Sequence, residues 1–285
     1  MSANALSDSK SYVEPNVEQS ATTKGIAKGI YVSGTGPAIV FLHSSLSSSR
    51  QWLPLVKQLE NHFTCINVDI LGYGGADRVS DPDNYSFDVE IARINHALTE
   101  VVGNGSYHLV GHSCGGAIAL KLAVEAPQRV LSLSLFEPVA FNLLPAGSEL
   151  RNVADEFANR VDIEDKFKAA EVFTDFWNMK GFFQSLPDKM QALMANDMAK
   201  VTLDFKGLIS ASYSLANVAE IKAPTLFFTG KYSPQLSHSL AETIIGSLPN
   251  VKSVEVEAGH MAPVSHGGLV LPIIADFIQQ HAENH

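Results

Sequence analysis

The sequence is short of cysteine, of basic residues and of long apolar runs, and each shortage excludes something. Only two cysteines occur in 285 residues, Cys65 and Cys114. They fall in what read as a buried strand and a helix start, so a disulfide framework is not expected and a reducing compartment is compatible. Twenty Lys and Arg against thirty Asp and Glu leave a formal net charge of -10, a balance that argues against nucleic acid and anionic membrane as partners. No stretch reaches the roughly 18 consecutive apolar residues of a transmembrane helix. The opening MSANALSDSKSYVEPNVEQS has no apolar segment of the signal-peptide kind, so the expected location is the cytoplasm. The oligomeric state is left open.

Apolar residues are abundant, at 46% against 18% charged, enough to bury a large core. Residues 1–24, rich in Ser, Asn, Glu and Thr, read as a flexible leader. From residue 25 strands and helices alternate. KGIYVSGTGPAIVFLHS reads as a hairpin around Gly34, Gly36 and Pro37, its second strand buried on both faces. RQWLPLVKQLENH is helical by spacing, FTCINVDI is a strand, and SFDVEIARINHALTEVV is a helix capped by Ser86. Strand YHLVGHS, helix GGAIALKLAVEA and strand VLSLSLFEP follow. The alternation predicts a mostly parallel, doubly wound α/β sheet. It is interrupted over 139–215 by helical pieces only, AGSELRNVADEFANRV, EDKFKAAEVFTDFWNMKGFF, PDKMQALMANDMAK and FKGLISASYSLANV, and resumes afterwards. The expected organisation is a core of 25–138 and 216–285 with a helical cap of 139–215.

Gly111, His112, Ser113, Cys114 and Gly115 form a G-x-S-x-G pattern at a strand-to-helix junction. A serine on so tight a turn needs small neighbours on both sides. The turn lifts its Oγ clear of the sheet, and the Cys114 amide at the helix start becomes a candidate oxyanion donor, helped by the helix dipole.

With GHSCG in this setting, FLHSS after the second strand, DILGYGGAD after the third and AGHMAP near the C-terminus, the chain resembles the α/β-hydrolase family over nearly everything past residue 25. The resemblance implies Ser113 as nucleophile and His260, in AGHMAP, as its base. It also implies a second oxyanion amide on the loop after FLHS, by position Ser45, although Ser44 stands where a glycine is usual. His43 is read as a residue that orients this loop. His266, in SHGG, suits a helix cap better than a base.

A third triad member is harder to find. The family usually carries an acid three residues after the glycine of TGKYSPQL, where this chain has Ser233. Asp69 follows a strand, where the resemblance implies a loop-structural aspartate, and Glu242 lies within a helix. Glu137, in LSLFEPV, sits at a strand end on the same sheet edge as Ser113, and Pro138 biases it toward an extended backbone. A carboxylate there is costly unless paired. Some branches of the family, haloalkane dehalogenases among them, hold their acid on this earlier strand. The sequence resembles a serine version of that arrangement, with water or a cap acid beside His260 as the alternative.

The cap carries many large apolar side chains, most of them its own core. A minority is expected to line a substrate pocket, and the turn WNMKGFF nominates Trp177, Phe182 and Phe183. The combined expectation is a serine hydrolase cleaving a small or medium uncharged, partly apolar carboxylic ester, with no metal or organic cofactor. A lactone, thioester, amide or carbon–carbon bond is the alternative, as is a non-catalytic binding module. A haloalkane dehalogenase is disfavoured, because its alkyl-enzyme intermediate needs a carboxylate where Ser113 stands.

Overall fold

The computed structural model describes residues 26–282; the leader expected over 1–24 lies outside them. Seven strands form one sheet in the order β1-β3-β2-β4-β5-β6-β7. They are β1 (Ile30–Ser33), β2 (Ala38–Leu42), β3 (Thr64–Val68), β4 (Tyr107–His112), β5 (Val130–Phe136), β6 (Thr225–Gly230) and β7 (Val251–Val256). Every pairing is parallel except that of β1 with β3.

The β1–β2 hairpin expected from the glycines does not form. Thr64–Val68 inserts between the two strands, parallel to β2 and antiparallel to β1. A short Gly-rich link permits pairing but does not require it, and the buried strand β3 completes the hydrogen bonds of both neighbours.

Side-chain alternation along the central strands supplies two core layers. Ile39 and Phe41 of β2 face one layer, with Leu55 and Leu59 of α1 (Leu53–Leu59) and Ile274 and Ile278 of α11 (Gly267–Ala282). Val40 and Leu42 face the other, with Ile91 and Ile94 of α2 (Phe87–Val102) and Ile118 and Leu122 of α3 (Cys114–Glu125). Ser86 caps α2, its hydroxyl accepting from the Asp88 amide.

Between β5 and β6 the chain is helical: α4 (Glu149–Val161), α5 (Lys166–Trp177), α6 (Phe182–Ser185), α7 (Asp188–Ser210) and α8 (Leu215–Val218). Helix α7 starts directly after Pro187 and runs 23 residues, one helix where the sequence pattern suggests two pieces, because nothing near Lys200 breaks a helix. Phe157, Trp177, Val201 and Phe205 of this insertion belong to the same apolar cluster as Leu42 and Leu109 of the sheet. Phe173, Trp177, Val201 and Phe205 of the insertion lie beside Ser113, which follows β4, and Val139, which follows β5. Helices α9 (Gln235–Ile245) and α10 (Ala262–Ser265) complete the chain. Among the described residues no helix is long and apolar enough to cross a membrane.

Candidate active site

Strand β4 ends at His112 and α3 begins at Cys114, leaving Ser113 as the single linking residue, with φ 55° and ψ -119°. A non-glycine residue adopts this conformation only when its surroundings impose it. Here the Ser113 amide donates to the Phe136 carbonyl at 3.0 Å and its carbonyl accepts from the Val139 amide at 3.3 Å. A Cβ on Gly115 would lie 2.3 Å from the His43 carbonyl oxygen, and one on Gly111 2.6 Å from that of Gly115. The spacing of glycines therefore reflects the close passage of strand, loop and helix.

The structure brings Ser113, His260 and Glu137 into one hydrogen-bonded line. The Ser113 hydroxyl lies 2.9 Å from His260 Nε2. On the far side of the ring, His260 Nδ1 lies 2.6 Å from Glu137 Oε2, and the Gly230 amide donates to Glu137 Oε1 at 2.7 Å. All three side chains are buried. Burial alone raises the Glu137 carboxyl, but the bonds to His260 and Gly230 outweigh it and the group titrates below its usual value. Ser233 lies close enough to lower it further, although its buried hydroxyl makes no hydrogen bond of normal geometry.

The extended backbone expected for Glu137 is corrected: its φ is 41°. The carboxylate is tied to β6 and to His260, and the Glu137 amide donates to the Phe228 carbonyl at 3.2 Å. These tertiary bonds override the local preference that Pro138 exerts.

His260 is also anchored through its backbone. Its carbonyl accepts from His112 Nε2 at 2.8 Å, while His112 Nδ1 meets the Gln51 amide nitrogen at 3.1 Å. Burial pushes the His112 imidazole well below its usual value, so the neutral ring can donate on one side and accept on the other. Gln51 Oε1 in turn accepts from the Ser44 amide and hydroxyl, both at 3.2 Å. His43 orients the same loop, its Nδ1 donating to the Ser44 carbonyl at 2.7 Å and its Nε2 accepting from the Ile70 amide at 3.0 Å.

Among the described residues, the backbone N–H groups of Ser45 and Cys114 have no acceptor. Cys114 is fully buried and Ser45 half-buried, and a buried donor such as the Cys114 amide calls for a partner. Burial raises the Cys114 thiol well above its usual value and the Cys65 thiol to about 12, so neither sulfur is a ready nucleophile. Asp69 is engaged in loop structure, accepting from the amides of Ser49 and Gly75 at 2.6 Å each. Glu242 and His266 are exposed. Among the described residues, no group of three His, Cys, Asp or Glu is placed to hold a metal ion.

A cavity adjoins Ser113, lined by Ser45, Val139, Phe141, Phe173, Trp177, Val201, Asp204, Phe205 and Leu208. Its free volume of about 10 Å³ is room for about one water. The Trp177 ring stacks on that of His260 at 4.1 Å. Phe182 and Phe183, nominated with Trp177, do not line the cavity. Gly181, with φ 87°, turns the chain away, the amide of Phe183 is held by Asp175 at 2.9 Å, and the buried Phe183 ring packs edge-on against Phe167.

Two residues of the site were missed in the sequence, Asp204 and Lys200. Asp204 Oδ2 accepts from the hydroxyls of Ser45 and Tyr73, each at 2.6 Å, and Oδ1 pairs with the Lys200 ammonium. Burial acts to lower the Lys200 amine, but Asp204 and Glu90 outweigh it and it titrates above its usual value. A signal existed: Asp204 stands three residues after Val201 and four before Leu208, on their apolar face.

A family model described as alpha/beta hydrolase fold matches residues 37–266. A monoacylglycerol lipase from Xenopus laevis is 26% identical over 268 residues, covering 88% of this chain and 79% of the lipase. A fluoroacetate dehalogenase from a Burkholderia species is 36% identical over 109 residues, only 37% of this chain and 36% of that protein. Among solved structures, a thermophilic esterase from Thermogutta terrifontis is similar with a TM-score of 0.73 at 19% identity, covering 90% of this chain and 94% of the esterase. An enol-lactonase from Burkholderia xenovorans has a TM-score of 0.72 at 18% identity, with 88% and 96% covered; at such identities the likeness is one of fold. The family match over most of the chain, together with the seven-stranded sheet and the elbow between β4 and α3, shows that this chain belongs to the α/β-hydrolase fold family.

Proposed function

We propose that the protein is a serine hydrolase acting on a small or medium uncharged, partly apolar carboxylic ester, with the helical insertion as its cap and substrate selector. The observation that carries this reading is the unbroken line from Ser113 through His260 to Glu137 beneath an apolar cavity. The Ser113 hydroxyl attacks the ester carbonyl carbon and its proton passes to His260 Nε2. Glu137 keeps the other ring proton on Nδ1 and stabilises the imidazolium. The free amides of Ser45 and Cys114 receive the oxyanion. Collapse of the tetrahedral adduct expels the alcohol oxygen, which takes the proton from His260, and leaves an acyl group on Ser113. Water then adds with His260 as base, and the acid departs as Ser113 regains its proton.

The cavity walls favour an uncharged substrate: among the described residues seven lining side chains are apolar, the one lining carboxylate is paired with Lys200, and no cationic side chain lines it. A halide displacement through an enzyme ester would need a carboxylate at position 113. The lipase relative, covered over most of both chains, supports ester chemistry as the reading. A small-molecule substrate in the cytoplasm, without a nucleic-acid or membrane partner, fits the acidic charge balance and the two free buried cysteines.

An active-site-directed fluorophosphonate tests the reading. Stoichiometric labelling of Ser113, with hydrolysis of p-nitrophenyl esters lost in a folded Ser113→Ala variant by about 10⁴-fold or more, is the expected result. No labelling at long exposure indicates a binding module on the same fold.

A further inference from the structure

Ser45 presents an unpaired backbone N–H beside Ser113, yet its side chain is tied to another part of the molecule. Its hydroxyl donates to Asp204 Oδ2 at 2.6 Å, a partner 159 residues away on helix α7 of the insertion. The loop around it is strained, since Leu46 has a φ of 55°, a backbone state that persists only when neighbours impose it. Three bonds hold the preceding residue to the core: two from Ser44 to Gln51 and one from His43 to the Ser44 carbonyl. The Ser45 side chain is held by Asp204 instead.

Asp204 is itself locked in place. Tyr73 donates to the same oxygen at 2.6 Å and Lys200, one turn earlier, pairs with the other. Lys200 also reaches the Tyr85 hydroxyl at 3.2 Å, which donates to Glu90 at 3.0 Å. Both carboxylate oxygens are engaged by the protein, so the carboxylate acts on the loop and not on a ligand. Buried ion pairs are poor sources of stability, and apolar residues of similar size often replace them without loss. The neighbours on this face of α7, Val201, Phe205 and Leu208, are apolar. The reason for an acid at 204 must therefore be what it holds.

We propose that Asp204 is a positioning residue for the oxyanion hole: by holding the Ser45 hydroxyl it fixes the direction of the Ser45 amide. Helix α7 of the insertion, and not the core alone, then sets the donor geometry over Ser113. The proposal rests on the reading of Ser113 as nucleophile and of the Ser45 amide as a donor to the oxyanion. Such a donor acts in the transition state, so misaiming it lowers kcat and leaves KM nearly unchanged, a split that a merely structural role does not produce.

The test compares wild type, Ser45→Ala, Asp204→Asn and the double variant on p-nitrophenyl butyrate, with a melting curve for each. Affinity for an alkyl trifluoromethyl ketone, which forms an oxyanionic adduct with an active serine, is measured alongside. Each single variant is expected to lower kcat by about ten- to hundredfold, less than the ~10²–10³ of deleting a donor outright. KM should stay within about threefold, ketone affinity should fall in step with kcat, and the double variant should be no worse than the worse single one, as expected for one shared interaction. A folded Ser45→Ala variant that keeps its kcat within about twofold overturns the proposal, as do losses that multiply in the double variant. If Asp204→Asn does not fold, Ser45→Ala decides alone, since it removes one hydroxyl and leaves Lys200 paired. Ser113→Ala is assayed in parallel. Normal turnover there means that the nucleophile assignment has failed and takes the proposal with it, whereas an inactive Ser113→Ala beside an active Ser45→Ala defeats the proposal only.

Discussion

Replacing Glu137 by Gln changes one atom in a pair of hydrogen bonds whose directions are fixed. One carboxylate oxygen faces the Gly230 N–H at 2.7 Å and the other faces His260 Nδ1 at 2.6 Å. A glutamine placed with its oxygen toward Gly230 presents its NH₂ to His260. Nδ1 must then accept, the ring proton moves to Nε2, and Ser113 has no base. The reverse placement keeps the productive tautomer but sets NH₂ against the Gly230 N–H, an unsatisfied buried donor pair costing about 1–3 kcal/mol. The productive form is then only about a fifth to less than a hundredth of the population. Within it, a neutral amide no longer stabilises the imidazolium, which accounts for the remaining loss. Together these effects lower kcat by about 10³–10⁴, or about 4–5.5 kcal/mol. The assay is steady-state hydrolysis of p-nitrophenyl acetate at pH 8, with folding checked by circular dichroism. A folded Glu137→Gln protein with kcat within about tenfold of wild type would refute the reasoning and return the acid to an open question.

Other outcomes follow from neighbouring contacts. Adding Ser233→Asp to Glu137→Gln should restore about one to two decades of kcat, because the buried Ser233 hydroxyl sits beside the Glu137 carboxylate and a new acid there lacks only supporting bonds; no gain would show that the two positions are not interchangeable. Leu208→Ala, which widens the cavity wall, should shift preference toward longer acyl groups by about 1–3 kcal/mol per one or two methylenes, whereas Phe182→Ala should leave the chain-length profile unchanged. The reverse pattern in an ester panel would contradict the placement of α6 and α7. Burial holds His43 down from 6.5 to about 4. The unfolded chain therefore takes up a proton that the folded one refuses, and stability falls as pH drops from about 7 toward 4. Urea unfolding at pH 8 and pH 5 should show about 2 kcal/mol of this loss, absent in a folded His43→Asn variant; equal losses in both proteins would remove His43 as the cause.

What could be read in the sequence was local. Gly111 and Gly115 mark the elbow because their missing side chains are demanded by atoms within a few ångströms. Glu137 was legible because an acid closing an apolar strand needs a partner. The wrong hairpin and the wrong backbone at Glu137 share one cause: local turn and proline preferences were overridden by bonds to β3, β6 and His260. Asp204 and Lys200 escaped because charges at four-residue spacing on a helix ordinarily face water, and their partners Ser45 and Tyr85 lie more than a hundred positions away. Likewise, aromatic rings at helical spacing look alike in sequence. Only the packing of α5 and α7 separates Phe173 and Phe205, which line the cavity, from Phe182 and Phe183, which do not.

The central claim is that Ser113 becomes acylated. Rapid mixing with p-nitrophenyl acetate, followed by acid quench and peptide mass analysis, addresses it directly. The account predicts a burst of about one p-nitrophenol per chain where deacylation is the slower step, with an acetyl group on the peptide carrying Ser113 and on no other. That adduct should be absent in Ser113→Ala. A burst with no acetyl on Ser113 in quenched samples, or an acetyl carried by a different residue, would contradict it.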